Sequence, residues 1–384
     1  MRGLLAALTV TRTVINTGYR MVYPFLPALA RGLGVEPQAI ILAVTARSGL
    51  GLASPVLGSL GDLRGRRQAM LIGVAVFVLG LLPVAIWPSF TTFFLALLAT
   101  GLSKIILDPA QQAYLGDEIA FERRGAPIAL VELSWSGAFL IGVPLVGLLI
   151  SSSGWQAPFP VLAGLVLLGG IWLWKIIPRG NRNQPLSQSL REGLSAIRVR
   201  RSAMAGLGVG LLIAAANEIV AIVYGLWMED SFGLHVAALG AASAVIGLAE
   251  LGGEGLVASL SDRLGKRRSL AAGVLLSGLA LLALPVLAVS LAGALAGLFL
   301  LYLTFEYTLV GTIPLMTEQV PQARSTLMAT NIGALSLGRS LGALAGAPLF
   351  ALGIQANALV AAALNLVALL LLIGFVKERG DSIP

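Results

Sequence analysis

Apolar residues run along this chain in twelve long stretches, separated by short polar loops. A helix needs about 20 mostly apolar residues to cross the hydrocarbon core of a bilayer. Runs of that length fall at approximately 4–30, 38–60, 68–87, 90–114, 126–151, 155–177, 203–228, 237–260, 269–288, 292–316, 325–350 and 354–376. The pattern predicts an all-α polytopic membrane protein of twelve spans. Several connections, such as Trp87-Pro88-Ser89 and Gly353-Ile354-Gln355, are very short, which makes sequential helices antiparallel neighbours. The first run is too long for the apolar region of a cleaved signal peptide.

Composition removes the main alternatives. Of 384 residues, 57% are hydrophobic and only 11% charged, whereas a soluble domain carries about 25% charged residues. The net charge of +8 does not point to nucleic acid, because the cations lie in loops between apolar runs. Twenty Lys and Arg fall on one side or in the termini, among them Arg64, Arg123, Arg179 and Arg263, and only Arg31 on the other. This positive-inside bias places both termini in the cytoplasm of a plasma (cytoplasmic) membrane protein. With no cysteine, disulfides and thiolate chemistry are excluded. The single histidine, His235, sits in an exterior loop, and no G-x4-G-K-[ST] phosphate loop is present. The reading is therefore of no enzyme, no ATP hydrolysis, no metal and no cofactor. The expected partners are a small-molecule substrate, protons and the lipid bilayer, and the expected state is a monomer.

The one long polar segment divides the chain into residues 1–177, a linker at 178–202, and residues 203–384. Leu186, Leu190, Leu194 and Ile197 fall on one helical face of that linker among Arg and Ser. Such spacing suits an amphipathic interfacial helix or a plain connection between two six-helix halves.

The halves repeat. Gly58-Ser-Leu-Gly-Asp62-Leu-Arg-Gly65-Arg66-Arg67 matches Ala258-Ser-Leu-Ser-Asp262-Arg-Leu-Gly265-Lys266-Arg267 at an offset of 200, and Arg124 matches Arg324. Gly142-Val-Pro144-Leu matches Gly346-Ala-Pro348-Leu at an offset of 204. Duplicated six-helix halves are a transporter architecture. The pattern Gly58-x-Leu-x-Asp62-x-x-Gly65-Arg66-Arg67, between the second and third spans, resembles the signature of the major facilitator superfamily, and its weaker copy lies where that family also carries one. The resemblance implies secondary active transport by alternating access, through a cavity between two pseudo-twofold related bundles lined by spans 1, 4, 7 and 10. It further implies a cytoplasmic latch: Asp62 would meet the start of span 11, and Arg66 would meet the acid ending span 4, here Asp117. Gly58, Gly65 and Arg67, with Asp262, Gly265, Lys266 and Arg267 in the second copy, belong to the same assignment. The rival reading of Arg64, Arg66 and Arg67 is a topology signal alone.

Span 5 carries Gly137-Ala-Phe-Leu-Ile-Gly142-Val-Pro144-Leu-Val-Gly147, and span 11 a similar run ending at Pro348. The first resembles, in degenerate form, the glycine/proline signature of the family's drug–proton antiporters, which implies export; small-residue helix packing explains both runs as well. Those antiporters carry an arginine early in span 4, and the matching position here is Leu97. Lys104 and Asp108 lie nearer Pro109 instead.

Eleven charged residues lie inside the spans: Arg12, Arg20, Arg47, Lys104, Asp108, Glu132, Glu218, Glu250, Glu254, Glu306 and Arg339. Each would cost at least about 2.5–3.5 kcal/mol facing lipid at mid-membrane. They are therefore expected to face water, one another or the interface; Arg12 and Glu254 stand close enough to helix ends to snorkel. The first half is cation-rich and the second acid-rich. The substrate-binding candidates are Asn16, Tyr19, Arg20, Arg47, Lys104, Asp108, Glu132, Trp135, Asn217, Tyr307, Asn331 and Arg339. Glu218 and Glu306, ahead of Glu250, are candidates for the coupling proton, since four acids with one cation cannot all stay ionised cheaply in a low dielectric. Buried salt bridges between the halves are the alternative use of these charges. The functional readings are a proton-coupled exporter, uptake of a charged or zwitterionic metabolite, and a lipid or amphiphile flippase.

Overall fold

The protein is described by a computed structural model at residues 2–57, 64–119, 125–178 and 190–376. Every regular element among these residues is a helix. Ten helices are long and apolar enough to cross a membrane: Pro37–Leu57, Arg66–Ile86, Phe90–Glu118, Pro127–Ser153, Pro158–Ile176, Arg201–Phe232, Val236–Ser261, Lys266–Leu287, Leu291–Thr317 and Ile354–Phe375. Two more complete the twelve spans. Span 1 is Arg2–Arg20 followed by Val22–Leu33, and span 11 is Arg324–Phe350. Both carry polar residues along their length, of which Arg12, Asn16, Arg20, Asn331 and Ser340 are buried. Span 12 keeps only 33% of its apolar window inside the protein and span 7 keeps 78%, so span 12 is a lipid-facing helix and span 7 an interior one.

Several spans are irregular for identifiable reasons. Span 1 breaks at Met21, just ahead of Pro24 and Pro27. Span 2 tightens into a 3-10 turn at Leu50–Ala53. Span 5 is interrupted at Leu133 and forms a π-helical turn at Ala138–Gly142 before Pro144. Ser89 caps span 4 by accepting from the Thr92 amide, and Ser290 caps span 10 by accepting from Gly293. Gly65 and Gly265, ahead of spans 3 and 9, have φ of +87° and +82°. A side chain is strained in that region, which explains glycine at both repeat positions.

The chain divides into two compact units, Met1–Leu186 with Met228–Gly247, and Ser187–Trp227 with Leu248–Pro384. In the first, spans 3 and 4 pack together, and span 6 packs on spans 1 and 3. In the second, spans 9 and 10 do the same, and span 12 packs on spans 7 and 9. The first unit also takes in the start of span 8, which packs on span 5 backbone to backbone. A Cβ added at Gly240 would lie 3.2 Å from Gly147 Cα, and one at Gly247 2.5 Å from the Leu140 nitrogen. At its exterior edge Arg31 pairs with Glu229 at 2.5 Å.

The linker forms a helix at Leu190–Val199. Ile197 is buried with Ala203, Leu207, Met316, Val320 and Leu327, and Gly193 lies against Thr326. The helix therefore docks on its own unit through one face and leaves Leu194 exposed.

Candidate functional site

Span 1 carries Arg12, Asn16 and Arg20 at four-residue intervals, and span 4 carries Lys104, Asp108 and Gln112 in the same way. Residues four apart share a helix face, so each span presents a polar stripe. In the first unit the two stripes meet. Arg12 Nε lies 3.2 Å from Asp108 Oδ1, and Lys104 Nζ lies 2.8 Å from Asp108 Oδ2 and 2.5 Å from Asn16 Oδ1. Later residues of span 1 meet earlier residues of span 4, as antiparallel helices require.

Span 5 completes the cluster. Arg12 Nη1 is 2.8 Å from Glu132 Oε1, Gln112 Nε2 donates to that oxygen at 3.1 Å, and Asn16 Nδ2 donates to Ser134 Oγ at 3.3 Å. The interruption of span 5 falls just after Glu132. Side chains of span 1 bond carbonyls on both sides of it: Thr9 to Leu130, Arg12 to Val131, and Arg20 Nη1 to Trp135 at 2.9 Å. Irregular backbone at membrane depth survives only where protein or a wet cavity covers it.

Aromatic rings hold the remaining cations. Arg20 Cζ stands 4.1 Å from the centroid of Trp135 and 3.7 Å from that of Phe139. Lys104 Nζ lies 5.2 Å from the Trp135 centroid and 5.7 Å from that of Tyr19. Such contacts are worth about 2 kcal/mol when desolvated. Arg47 is 1% exposed. It donates to the Tyr19 carbonyl at 2.5 Å and to Tyr23 Oη at 3.2 Å, and stacks on the Tyr19 ring. No partner of Arg47 among the described residues is an anion. Its contacts straddle the break at Met21, so it braces the bend in span 1.

The structure corrects the reading of Arg12 as a snorkelling residue. Arg12 is 5% exposed and holds two carboxylates. Arg12 was named among the charges inside the spans but not among the substrate candidates, and Gln112 was not singled out, although the four-residue stripes on spans 1 and 4 were the available signal.

In the second unit Glu218, Glu250 and Glu306 are buried, and Glu254 and Arg339 are half-buried. Close helix crossings set their roots. A Cβ at Gly342 of span 11 would lie 2.8 Å from Glu218 Cβ, and one at Gly253 of span 8 would lie 2.9 Å from Glu306 Cβ. Glu306 thus starts from the span 8–span 10 crossing, between Glu250 and Glu254 in the sequence of span 8. Tyr307 turns elsewhere: its hydroxyl bonds Ser269 Oγ on span 9 and its ring lies against Gly273. Oδ1 of Asn217 and of Asn331 is buried and accepts no hydrogen bond among the described residues. Both offer acceptors to a solute or to water.

The loop signature is tied down within each unit. Arg66 Nε lies 3.2 Å from Asp117 Oδ2, and Lys266 pairs with Glu318, the repeat counterpart that the sequence analysis did not single out. Arg67 donates to the Trp174 carbonyl and Arg267 to the Ile373 carbonyl, both at 2.5 Å. Each loop therefore clips the ends of the fourth and sixth helices of its half, and Arg67 serves span 6 rather than span 4. Gly58 and Asp62 lie outside the described residues, as does the side chain of Asp262.

Comparisons with known proteins agree with this anatomy. The sequence profile described as Major Facilitator Superfamily matches residues 8–216 and 206–383. The uncharacterized MFS-type transporter YceJ of Bacillus subtilis is 27% identical, covering 86% of this chain and 84% of its own. The tetracycline resistance protein, class E, of Escherichia coli is 26% identical, covering 70% of this chain and 69% of its own. The crystal structure of the human organic anion transporter MFSD10 (TETRAN) superposes with a TM-score of 0.74 at 19% identity, over 97% of this chain and 99% of that one.

Proposed function

Because the chain belongs to the major facilitator superfamily, a family of secondary transporters, we propose that this multi-pass membrane protein moves a small charged solute by alternating access, coupled to protons. The burial of Glu218, Glu250 and Glu306 in the second unit carries the reading. A carboxylate sheltered from water in one conformation and wetted in another can take up and release a proton between the two. Glu218 on span 7 and Glu306 on span 10 are the leading coupling residues, with Glu250 behind them. The solute would be held in the first unit by the span 1, 4 and 5 cluster, and Asn217, Asn331 and Arg339 are the second unit's own substrate candidates. The clips at Arg66–Asp117 and Lys266–Glu318 would stiffen the cytoplasmic loops through the cycle, with Asp62 and Asp262 completing the latch. The protein would act as a monomer in the plasma membrane with both termini in the cytoplasm.

Export is supported by the likeness to a tetracycline resistance protein and by the glycine/proline run of span 5 packed on span 8. A second reading, uptake of a charged or zwitterionic metabolite, is favoured by the Arg12–Asp108–Lys104–Glu132 cluster, which is more ionic than an apolar drug needs. Flux of protons and of labelled solutes in proteoliposomes, with and without a pH gradient, tests both. Glu218→Gln and Glu306→Gln should abolish gradient-driven accumulation and preserve exchange. Intact accumulation in both variants would remove these residues from coupling.

A further inference from the structure

We propose that Glu132 is an exchangeable carboxylate: on taking a proton it releases Arg12, and the carboxylate of an organic anion takes its place. The proposal rests on the transporter reading and deepens its uptake branch.

The two acids on Arg12 are held unequally. Asp108 touches two cations, Arg12 at 3.2 Å and Lys104 at 2.8 Å. Glu132 touches one cation, Arg12, and the neutral amide of Gln112. Its side chain is 36% exposed, against 20% for Asp108 and 7% for Arg12. Glu132 is thus both the less restrained carboxylate and the more exposed one. It is also the last residue of its helical segment before the interruption in span 5. The ionisable group bonded to it is Arg12 from span 1, beside the Gln112 amide, and Asp108 with Lys104 of span 4 lies on the other side of Arg12.

Charge balance selects the ligand. Arg12 and Lys104 balance Asp108 and Glu132, while Arg20 and Arg47 stand on the Trp135 and Tyr19 rings that Lys104 also faces. Protonating Glu132 leaves one cation in excess, which a low-dielectric site tolerates poorly. An amine would add to that excess, whereas an anion cancels it. A carboxylate further suits the donors that Glu132 vacates, the Arg12 guanidinium and the Gln112 amide. Tyr19 and Trp135, already against Lys104, border the site with aromatic surface. One proton and one anion then bind together with no net change in charge, so each raises the affinity for the other. Exchange of solute for proton requires the opposite, mutual exclusion.

Binding of radiolabelled benzoate to the purified full-length protein in detergent, at about pH 6 and about pH 8, tests this. Benzoate is ionised at both, since carboxylic acids titrate near pH 4. The wild type should lose benzoate affinity with rising pH, by up to about tenfold per unit. Glu132→Gln, which mimics the protonated acid, should bind equally at both pH values and at least as tightly as the wild type at about pH 6. Benzylamine should compete with neither. A pH-independent wild type, a Glu132→Gln protein that keeps the pH dependence, preference for benzylamine, or no benzoate binding at all would each overturn the proposal. The wild-type pH series and the benzylamine contrast decide the matter if the variant does not fold. Binding in detergent needs no flux, so a negative result leaves the transporter reading standing, and absent flux with pH-linked binding would sink that reading alone.

Discussion

In the first unit buried cations face carboxylates: Arg12 holds Asp108 and Glu132, and Lys104 shares Asp108. In the second unit Glu218, Glu250 and Glu306 are buried, and Arg339 is the basic residue that stands away from the ends of its spans among the described residues. The loops of the two units, by contrast, are near copies. Arg66–Asp117 answers Lys266–Glu318, the Arg67 bond to Trp174 answers that of Arg267 to Ile373, and Gly65 answers Gly265. Clipping helix ends together requires only geometry, and a duplicated fold keeps that geometry in both halves. The charges inside the two units have no such shared geometry to preserve, and there the repeat has diverged.

That contrast between ionic interior and repeated loops can be broken experimentally. The largest effect is expected at Arg12. Arg12→Ala leaves Asp108 and Glu132 without their shared cation, and removing one partner of a buried pair costs about 3–5 kcal/mol. Thermal unfolding in detergent should show a large fall in Tm, with a smaller fall for Arg339→Ala, whose side chain is only half-buried. Equal falls would mean that the two interiors carry their charges alike.

Next come the helix crossings. Gly247→Ala puts a Cβ 2.5 Å from the Leu140 nitrogen and 2.8 Å from the Ser136 carbonyl oxygen. Backbone must then separate, at about 1–3 kcal/mol, and transport should fall with stability. Gly255→Ala meets nothing within 4 Å and should be neutral or stabilising by up to about 1 kcal/mol. Similar behaviour of the two in an unfolding assay would remove the close span 5–span 8 packing.

The smallest stability effects belong to the loops. Arg66→Ala and Lys266→Ala break partly exposed pairs and should each cost no more than about 1 kcal/mol. Proteoliposome flux should nevertheless drop several-fold in both, because the clips act on the moving helix ends. Unchanged flux would reduce both loops to topology signals. Exchanging the charges of the exterior pair, Arg31→Glu with Glu229→Arg, should leave Tm unchanged and restore whatever flux the single changes lose.

Much of the architecture was legible beforehand. All twelve spans were read from their apolar runs, ten of them as helices long and apolar enough to cross a membrane and spans 1 and 11 from runs that polar residues interrupt. Candidate residues on separate helices were named one at a time, and eight of them, Asn16, Tyr19, Arg20, Arg47, Lys104, Asp108, Glu132 and Trp135, fall in the connected set of contacts in the first unit. Tyr307 does not join the neighbouring acids, because its hydroxyl finds Ser269. Arg12 escaped because nearness to a helix end says nothing about what the adjacent helices place over it.

Sequence alone determined the twelve-span helical class, the duplication and the family. These follow from local composition and period: a bilayer leaves an apolar run of about 20 residues no alternative to a helix. Only the tertiary structure decided which charges meet. Arg12 lies about a hundred residues along the chain from Asp108 and Glu132, and their pairing depends on helix rotation, on the interruption after Glu132 and on the antiparallel register of spans 1 and 4. Those are properties of packing, and no single segment carries them.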